Sequence, residues 1–232
     1  LFTGSDNGVF LSTNNGTNWT KIRGGDVRSL SAIGTNIFVG MYGGGVYIST
    51  DNGTTWSSVN VGLPTNQVTS FAVSGTNLFA GTGDGVYLSS DNGANWSAVK
   101  TGIVVNSLAV SGTSLYAGAT SSLSRSTDNG TTWSAANAGL PALGVSSLAF
   151  SGTNLFAGIR GQGGVIYSTT GIYLSKNNGT SWTPVNSGFA ADVGSKNTNV
   201  WALAVSGTNL FAGTERGLWR RPLSEMDPTS VE

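Results

Sequence analysis

The side chains suited to chemistry in this chain are carboxylates, arginines and aromatic rings, because the sequence contains no cysteine and no histidine. Their absence excludes thiol nucleophiles, disulfides, Ser-His-Asp triads and the common zinc sites. Glycoside hydrolysis stays open, since it needs two carboxylates that face one cleft. The carboxylates that fall in variable turns and links are Asp6, Asp26, Asp84, Asp192 and Glu215.

A binding site needs fewer special groups, and arginine and aromatic side chains are its usual anchors. The candidate binding residues are Arg28, Tyr42, Asp84, Arg160, Trp201 and Arg216. Trp201 is the outlier among residues that follow the first valine of a repeated strand, because its counterparts are polar. Those counterparts are Arg28, Thr69, Asn106 and Ser146.

The elements that position these residues come from one pattern, Ser-x-Asp/Asn-x-Gly-x-x-Trp, which we call the box. It occurs at residues 12–19, 49–56, 89–96, 126–133 and 175–182. The tryptophans are 37, 40, 37 and 49 residues apart. A fixed period of about 40 residues indicates a repeat architecture.

One repeat unit, residues 68–99, reads as four short strands separated by Gly, Asn and Asp turns. Four strands in a unit of this length predict a propeller blade, so the fold class is all-β, with four-stranded antiparallel blades. The second and third strands occur six times, but the first and fourth occur five times. Six blades are therefore expected, with five or seven as alternatives.

The two ends of the predicted blades differ in sequence. Boxes and the Ser-Gly-Thr-Asn turns share one end and hardly vary, which indicates that they build the fold. The box residues expected to be structural are Asp51, Trp56, Asp91, Trp96, Asp128 and Trp133. Turns between the second and third strands and links between blades share the other end, which varies and holds the candidate binding residues, together with Gln162 and Lys196.

The five boxes closely resemble the Asp-box, or bacterial neuraminidase repeat, with Asn14 and Asn177 in place of Asp. The resemblance covers almost the whole chain and implies a β-propeller whose boxes lie away from the ligand site. Related repeats occur in sialidases, xyloglucan hydrolases, sortilin-like receptors and photosystem assembly factors, so the resemblance does not specify a function.

The resemblance to sialidases implies a site with three arginines, a Tyr/Glu pair and an Asp. Arg28, Arg160, Arg216, Tyr42, Glu215 and Asp84 supply these residue types. However, the Arg-Ile-Pro motif of sialidases is absent, and the six residues come from scattered repeats with no common spacing. A sialidase-like glycoside hydrolase therefore remains the alternative to a non-catalytic binding module.

Residues 217–226 are similar to the last strand of secreted bacterial propellers that precede a type IX sorting domain. This resemblance implies export, with a secreted or cell-surface bacterial location, and the start at Leu1 suggests a processed or truncated piece. We expect residues 1–226 to form a single propeller domain. Residues 227–232 would be a tail or the start of a linker.

Composition also bears on which partners and bound groups are expected. Eleven basic residues balance eleven acidic ones, so nucleic acid is not expected as a partner. No apolar run reaches the length of a membrane span, and the isolated carboxylates do not predict a metal site. We therefore expect no cofactor, and predict a secreted scaffold that binds a glycan or a surface protein. Assembly through open blade edges is a further hypothesis.

Overall fold

The computed structural model describes residues 1–64, 67–161, 163, 168–187 and 198–226. This part of the chain forms six antiparallel sheets, in which the hydrogen-bonded strand order follows the chain order. Sheet 1 contains β1 (Phe2–Ser5), β2 (Gly8–Leu11) and β3 (Thr20–Arg23). Sheet 2 contains β4 (Val27–Ile33), β5 (Asn36–Met41), β6 (Gly45–Ser49) and β7 (Ser57–Ser58). Sheet 3 contains β8 (Val68–Ser74), β9 (Asn77–Thr82), β10 (Gly85–Ser89) and β11 (Ser97–Thr101).

The other three sheets repeat this plan. Sheet 4 contains β12 (Val105–Ser111), β13 (Ser114–Ala119), β14 (Leu123–Ser126) and β15 (Ser134–Ala135). Sheet 5 contains β16 (Gly144–Ser151), β17 (Asn154–Arg160), β18 (Gly171–Ser175) and β19 (Thr183–Pro184). Sheet 6 contains β20 (Val200–Ser206), β21 (Asn209–Thr214) and β22 (Gly217–Pro222), followed by a short 3-10 helix (Leu223–Glu225). The six-blade prediction is confirmed, with three strands in the first and last sheets.

The chain divides into two compact units. Unit 1 comprises Leu1–Thr113 and Asp128–Thr131, and unit 2 comprises Ser114–Thr127 and Thr132–Glu232. Each unit has its own hydrophobic clusters, in which residues of one sheet pack on the next sheet along the chain. In unit 1, Phe38 and Val46 of sheet 2 pack with Trp96 of sheet 3.

Each box is a tight turn held together by its serine and its acidic or amide residue. The Ser49 hydroxyl donates to Asp51 Oδ1 at 2.8 Å and accepts the backbone N–H of Gly53 at 2.7 Å. Asp51 also accepts the N–H and hydroxyl of Thr55. Asn52 has a φ of 57° and Gly53 one of 87°, which is why Asn-Gly suits the turn.

The boxes with Asn keep the same core of contacts. Asn177 Oδ1 accepts the hydroxyl of Ser175 at 2.9 Å and the backbone N–H of Ser181 at 2.9 Å. One side-chain oxygen therefore suffices to close the turn. Asp and Asn are interchangeable in this respect, but only Asp adds a negative charge.

Acid sensitivity is expected to separate the two kinds of box. Donors from Thr55 lower the pKa of Asp51 from 3.8 to about 2, and donors from Asn95 do the same for Asp91. A depressed folded-state pKa contributes stability above the unfolded pKa, and this contribution is lost as pH falls towards about 2. Both carboxylates are solvent-exposed, so the effect is modest.

An Asp51→Asn, Asp91→Asn double variant tests this sign. It should melt slightly below the wild type at neutral pH, and the difference in melting temperature should disappear between about pH 4 and pH 2. Thermal melts monitored by circular dichroism across that range make the comparison. A difference that stays constant with pH would contradict the assignment.

Candidate functional site

A β-bulge displaces one residue near the start of the first strand in several sheets. In sheet 6 the register with β21 shifts between Val200 and Ala202, so Trp201 is skipped. The same shift skips Arg28 in sheet 2. A bulge takes a residue out of the ladder and re-aims its side chain, and bulges are common beside functional sites. The two large candidate residues, Arg28 and Trp201, therefore both lie at a β-bulge near the start of a first strand.

Small residues at the same bulge have a structural role. The Thr69 hydroxyl lies 3.0 Å from the carbonyl of Gly81 in its own sheet and 2.8 Å from that of Val105 in the next. Ser146 makes the same pair of contacts, to Gly158 and Val200. These hydroxyls join neighbouring sheets, whereas Arg28 and Trp201, at the same position in sheets 2 and 6, are exposed residues.

The most developed candidate site lies in unit 2 and is called here the Trp201 cluster: Arg160, Asn199, Trp201 and Glu215. The Trp201 side chain is 45% exposed although it belongs to a strand. The guanidinium carbon of Arg160, at the end of β17, lies 5.2 Å from the indole centroid. This is within cation–π range. An exposed aromatic ring thus stands beside a positive charge.

A buried amide fixes the acidic member of the Trp201 cluster. Asn199, which is fully buried, donates through Nδ2 to Glu215 Oε2 at 2.9 Å. Its Oδ1 accepts the backbone N–H of Gly161 at 2.8 Å. The Thr198 hydroxyl donates to Glu215 Oε1 at 3.0 Å. The carboxylate is therefore held in a defined position, although Glu215 itself is an exposed residue.

Arg216 lies next to Glu215 in the turn between β21 and β22, and its side chain is exposed. Its backbone N–H donates to the Thr214 hydroxyl at 3.1 Å, which shapes the turn. The structure thus places three candidate residues, Arg160, Trp201 and Arg216, together with Glu215, in the same unit.

A second aromatic–arginine pair lies in unit 1, where Asp26, Arg28 and Tyr42 form what we call the Tyr42 cluster. Tyr42 is 55% exposed, and the Arg28 guanidinium carbon lies 5.5 Å from its ring centroid. Arg28 Nη2 also donates to Asp26 Oδ2 at 2.6 Å. The backbone N–H of Tyr42 donates to the Asp26 carbonyl at 2.9 Å. This arginine is already engaged with a carboxylate.

Asp84 is the candidate with the clearest structural contact. It lies in the turn between β9 and β10, and its Oδ2 accepts the phenol of Tyr87 at 2.8 Å. Burial and this carboxylate raise the pKa of Tyr87 to about 12. The Thr82 hydroxyl accepts the backbone N–H of Asp84 and closes the turn. Asp84 thus anchors the tyrosine of its own sheet.

Some sequence predictions lie outside the described residues, namely those for Gln162, Asp192 and Lys196. Conversely, the sequence analysis missed Thr198 and Asn199. The sequence did contain a signal for Asn199, because it directly precedes the first valine of its strand. Asp26 and Gln67, which are also polar, hold the same position in other repeats. Within the part of the chain that the structure describes, no group of three or more metal-ligating side chains occurs. Nor does any described helix have the length and apolar character to cross a membrane.

Comparison with known proteins supports the fold. Residues 49–155, just under half of the chain, match the family model of the DUF6242 beta propeller domain. This chain is a six-bladed β-propeller. No curated protein sequence matches it. Solved structures do resemble it, and the identities of those described next carry information on the fold alone.

Three of these structures illustrate the kinds of protein that share this fold. An ancestral GH74 enzyme has a TM-score of 0.75 and 20% identity, over 94% of this chain and 34% of that one. The extracellular domain of a hybrid two-component system from B. thetaiotaomicron has a TM-score of 0.75 and 19% identity, over 94% of this chain and 30% of that one. A chain of a nidogen/laminin complex has a TM-score of 0.66 and 13% identity, over 98% of this chain and 90% of that one. The chain spans about a third of the length of the first two.

Proposed function

We propose that this chain is a non-catalytic carbohydrate-binding propeller whose ligand platform is the Trp201 cluster. The observation that carries the proposal is the exposed indole of Trp201, which a bulge turns out of its strand beside Arg160. Binding sites typically combine apolar or aromatic surface with a few well-placed polar groups. The Trp201 cluster combines an exposed aromatic ring with polar groups inside unit 2.

The chemistry of the Trp201 cluster suits a sugar ring. One face of a pyranose presents C–H groups, which pack against the apolar face of an indole and remove both surfaces from water. The hydroxyl groups at the ring edge then need donors and acceptors. The Arg160 guanidinium supplies donors, and the fixed Glu215 carboxylate has lone pairs beyond those used by Thr198 and Asn199.

The distribution of carboxylates supports binding without hydrolysis. In the described part of unit 2 the acidic side chains are Glu215 and Glu225. They flank the two ends of β22, a six-residue strand about 20 Å long. Glu225 is paired with Arg221 at 3.4 Å. Two catalytic carboxylates of a glycosidase lie about 5–10 Å apart, so these two do not form such a pair.

The sialidase-like alternative is not favoured either. Two of its six residues, Arg28 and Asp84, are engaged in contacts of their own. Within unit 1, Asp84 anchors Tyr87 and Arg28 is paired with Asp26. These contacts give structural roles to two of the groups that hydrolysis would require.

We also propose the setting of this module: residues 1–226 form one Asp-box propeller domain, exported by a bacterium to its surface or surroundings. The five boxes support the Asp-box assignment. The similar fold of the extracellular domain of a hybrid two-component system is consistent with work outside the cell. The type IX resemblance remains part of this proposal.

A glycan-array screen tests the function. The chain is expected to retain a restricted set of glycans, and an Arg160→Ala, Trp201→Ala double variant should lose that signal because ring and donors are both removed. Tyr42→Ala, which alters the exposed aromatic of unit 1, is the matched control and should bind as the wild type does. If no glycan is retained, the proposal is wrong and a protein partner is favoured. Equal binding by the double variant would contradict the assignment of the site to the Trp201 cluster and move the glycan elsewhere on the chain.

A further inference from the structure

Arg125, on β14 in unit 2, is a charged residue at a position where most repeats have an apolar one. It pairs across the sheet with Tyr116 of β13, and its side chain is half-buried. In the other four sheets that contain a box, the corresponding residue is aliphatic: Leu11, Ile48, Leu88 and Leu174. A half-buried charge costs free energy unless water, a partner or a ligand compensates it.

Three residues near Arg125 also depart from the repeat. Ser114 stands where other sheets have asparagine, Tyr116 where they have phenylalanine, and Ala136 where they have isoleucine or valine. The counterparts are Asn36, Asn77, Asn154 and Asn209; Phe2, Phe38, Phe79, Phe156 and Phe211; and Ile22, Val59, Val99 and Val185. All four departures belong to unit 2. Independent drift would not concentrate such changes around one side chain.

Direct contacts connect the polar departures. Arg125 donates through Nε and Nη2 to the Ser114 hydroxyl, at 3.3 Å and 2.9 Å. Its guanidinium carbon lies 5.7 Å from the Tyr116 ring centroid, within cation–π range. The Tyr116 phenol donates to the carbonyl of Asn178, in the box of sheet 5, at 3.1 Å. These contacts hold the guanidinium at the junction of sheet 4 with that box.

The small side chain of Ala136 opens a cavity at this junction. In earlier repeats Val59 lies against the box glycine Gly93, and Val99 lies against Gly130. Ala136 lies in the same way against Gly179 but is two methyl groups smaller than valine. Removal of such groups leaves a space where the surroundings do not collapse. Here an open cavity of about 290 Å³ remains, lined by Arg125, Ala136 and Gly179 among others, all in unit 2.

We propose that this cavity binds the carboxylate of a small acidic ligand, of about the size of one sugar acid, with Arg125 as the anchor. An arginine has five N–H donors, and Ser114 accepts two of them. The remaining donors suit the two oxygens of a carboxylate. Among the described residues that line the cavity, Arg125 is the one with a charge. One positive charge matches a carboxylate better than a phosphate, whose charge is closer to −2.

The rest of the cavity lining suits the body of a sugar acid. Ala135, Ala136 and Ala138 offer methyl groups, while Asn137 and Thr180 offer polar groups for hydroxyls. The volume lies just below the range of about 300–1,000 Å³ that is usual for larger ligands. This cavity is distinct from the Trp201 cluster. It lies at the box end of sheet 5, whereas Arg160 lies at the opposite end of the same sheet, where Ile159 pairs with Gly171.

Titration with D-glucuronate at neutral pH and fixed ionic strength, followed in assigned ¹H–¹⁵N spectra, tests this site. The backbone signals of Ala136 and Gly179 should shift in a saturable way. D-Glucose, which lacks the carboxylate, should leave them unmoved, and inorganic phosphate should bind more weakly than glucuronate. No saturable shift, an equal response to glucose, or tighter binding of phosphate would overturn the proposal.

Two variants that restore the residues of the repeat separate charge from space. Arg125→Leu removes the anchor and should raise the Kd for glucuronate by at least about 10-fold. Ala136→Val keeps the charge but fills the cavity, and it should weaken binding to a similar extent. Both changes introduce side chains that other sheets accept at these positions, and melting temperatures verify folding. Unchanged affinity in either variant would contradict the assignment.

Arg220→Leu is the matched control. Arg220 holds the same strand position in sheet 6, opposite Phe211, but it is exposed and sheet 6 has no box. It should bind glucuronate as the wild type does, and a loss equal to that of Arg125→Leu would show a general charge effect and overturn the proposal. The signals of Ala136 and Gly179 report on this cavity, and those of Arg160 and Trp201 report on the Trp201 cluster. Failure of one site is therefore distinguishable from failure of the other.

Discussion

Replacing Trp182 with alanine is expected to lower the free energy of unfolding by about 3–5 kcal/mol. The indole is 5% exposed and belongs to the cluster between sheets 4 and 5. Its Nε1 donates to the Ala136 carbonyl at 2.8 Å and to the Gly179 carbonyl at 3.2 Å. Truncation creates a cavity and leaves a buried carbonyl without its donor, and both effects destabilise the fold.

Trp19→Ala is the matched control for this prediction. Trp19 has the same position in its box but is 41% exposed, so its loss should cost about 1 kcal/mol or less. Urea denaturation followed by circular dichroism, at a concentration that keeps the chain monomeric, measures both. Equal losses for the two variants would show that packing between sheets does not determine the importance of the box tryptophan.

Replacing Trp201 with alanine is expected to weaken glycan binding by at least about 10-fold, which corresponds to about 1.4 kcal/mol. The exposed ring is the largest apolar surface of the Trp201 cluster, and aromatic anchors commonly dominate binding energies. Trp201→Phe keeps a smaller ring and should lose less. Isothermal titration calorimetry with the most strongly retained array glycan measures both affinities.

Folding controls accompany the Trp201 measurement. Trp201 is half-exposed and lies at a bulge outside the strand ladder, so its truncation should leave the melting temperature almost unchanged. An affinity loss with an unchanged melting temperature indicates direct contact with the glycan. Unchanged affinity would move the ligand away from this ring, for example to the Tyr42 cluster.

The fold was predictable because the sequence patterns that specify its turns and strands are local and repeated. Asn-Gly turns, the box serine and first strands of similar sequence, such as Val68–Ser74, recur in the inner repeats. The three-stranded first and last sheets were visible in the same way, since the patterns of the first and fourth strands each occur five times and those of the second and third strands six times. Short-range patterns of this kind do not depend on which sheet packs on which.

The candidate site was only partly predictable. Trp201 and Arg160 stood out by departing from the repeat, but their proximity depends on the end of β17 lying beside the start of β20. The anchor of Glu215 is Asn199, 16 residues away in the chain. The packing of Met226 with Phe156 and Ile172 likewise depends on how the chain turns after β22. Contacts made by residues that depart from the repeat leave no periodic trace in the sequence.

The indole N–H signals of the seven tryptophans offer the most direct test of the central claim, that Trp201 contacts a glycan. Each tryptophan gives one resolved signal in a ¹H–¹⁵N spectrum, and Trp201→Phe identifies the signal of Trp201. On titration with the most strongly retained array glycan, the Trp201 signal should move while those of the buried Trp96 and Trp182 stay fixed. A saturable shift at another tryptophan, with Trp201 unmoved, would contradict the account.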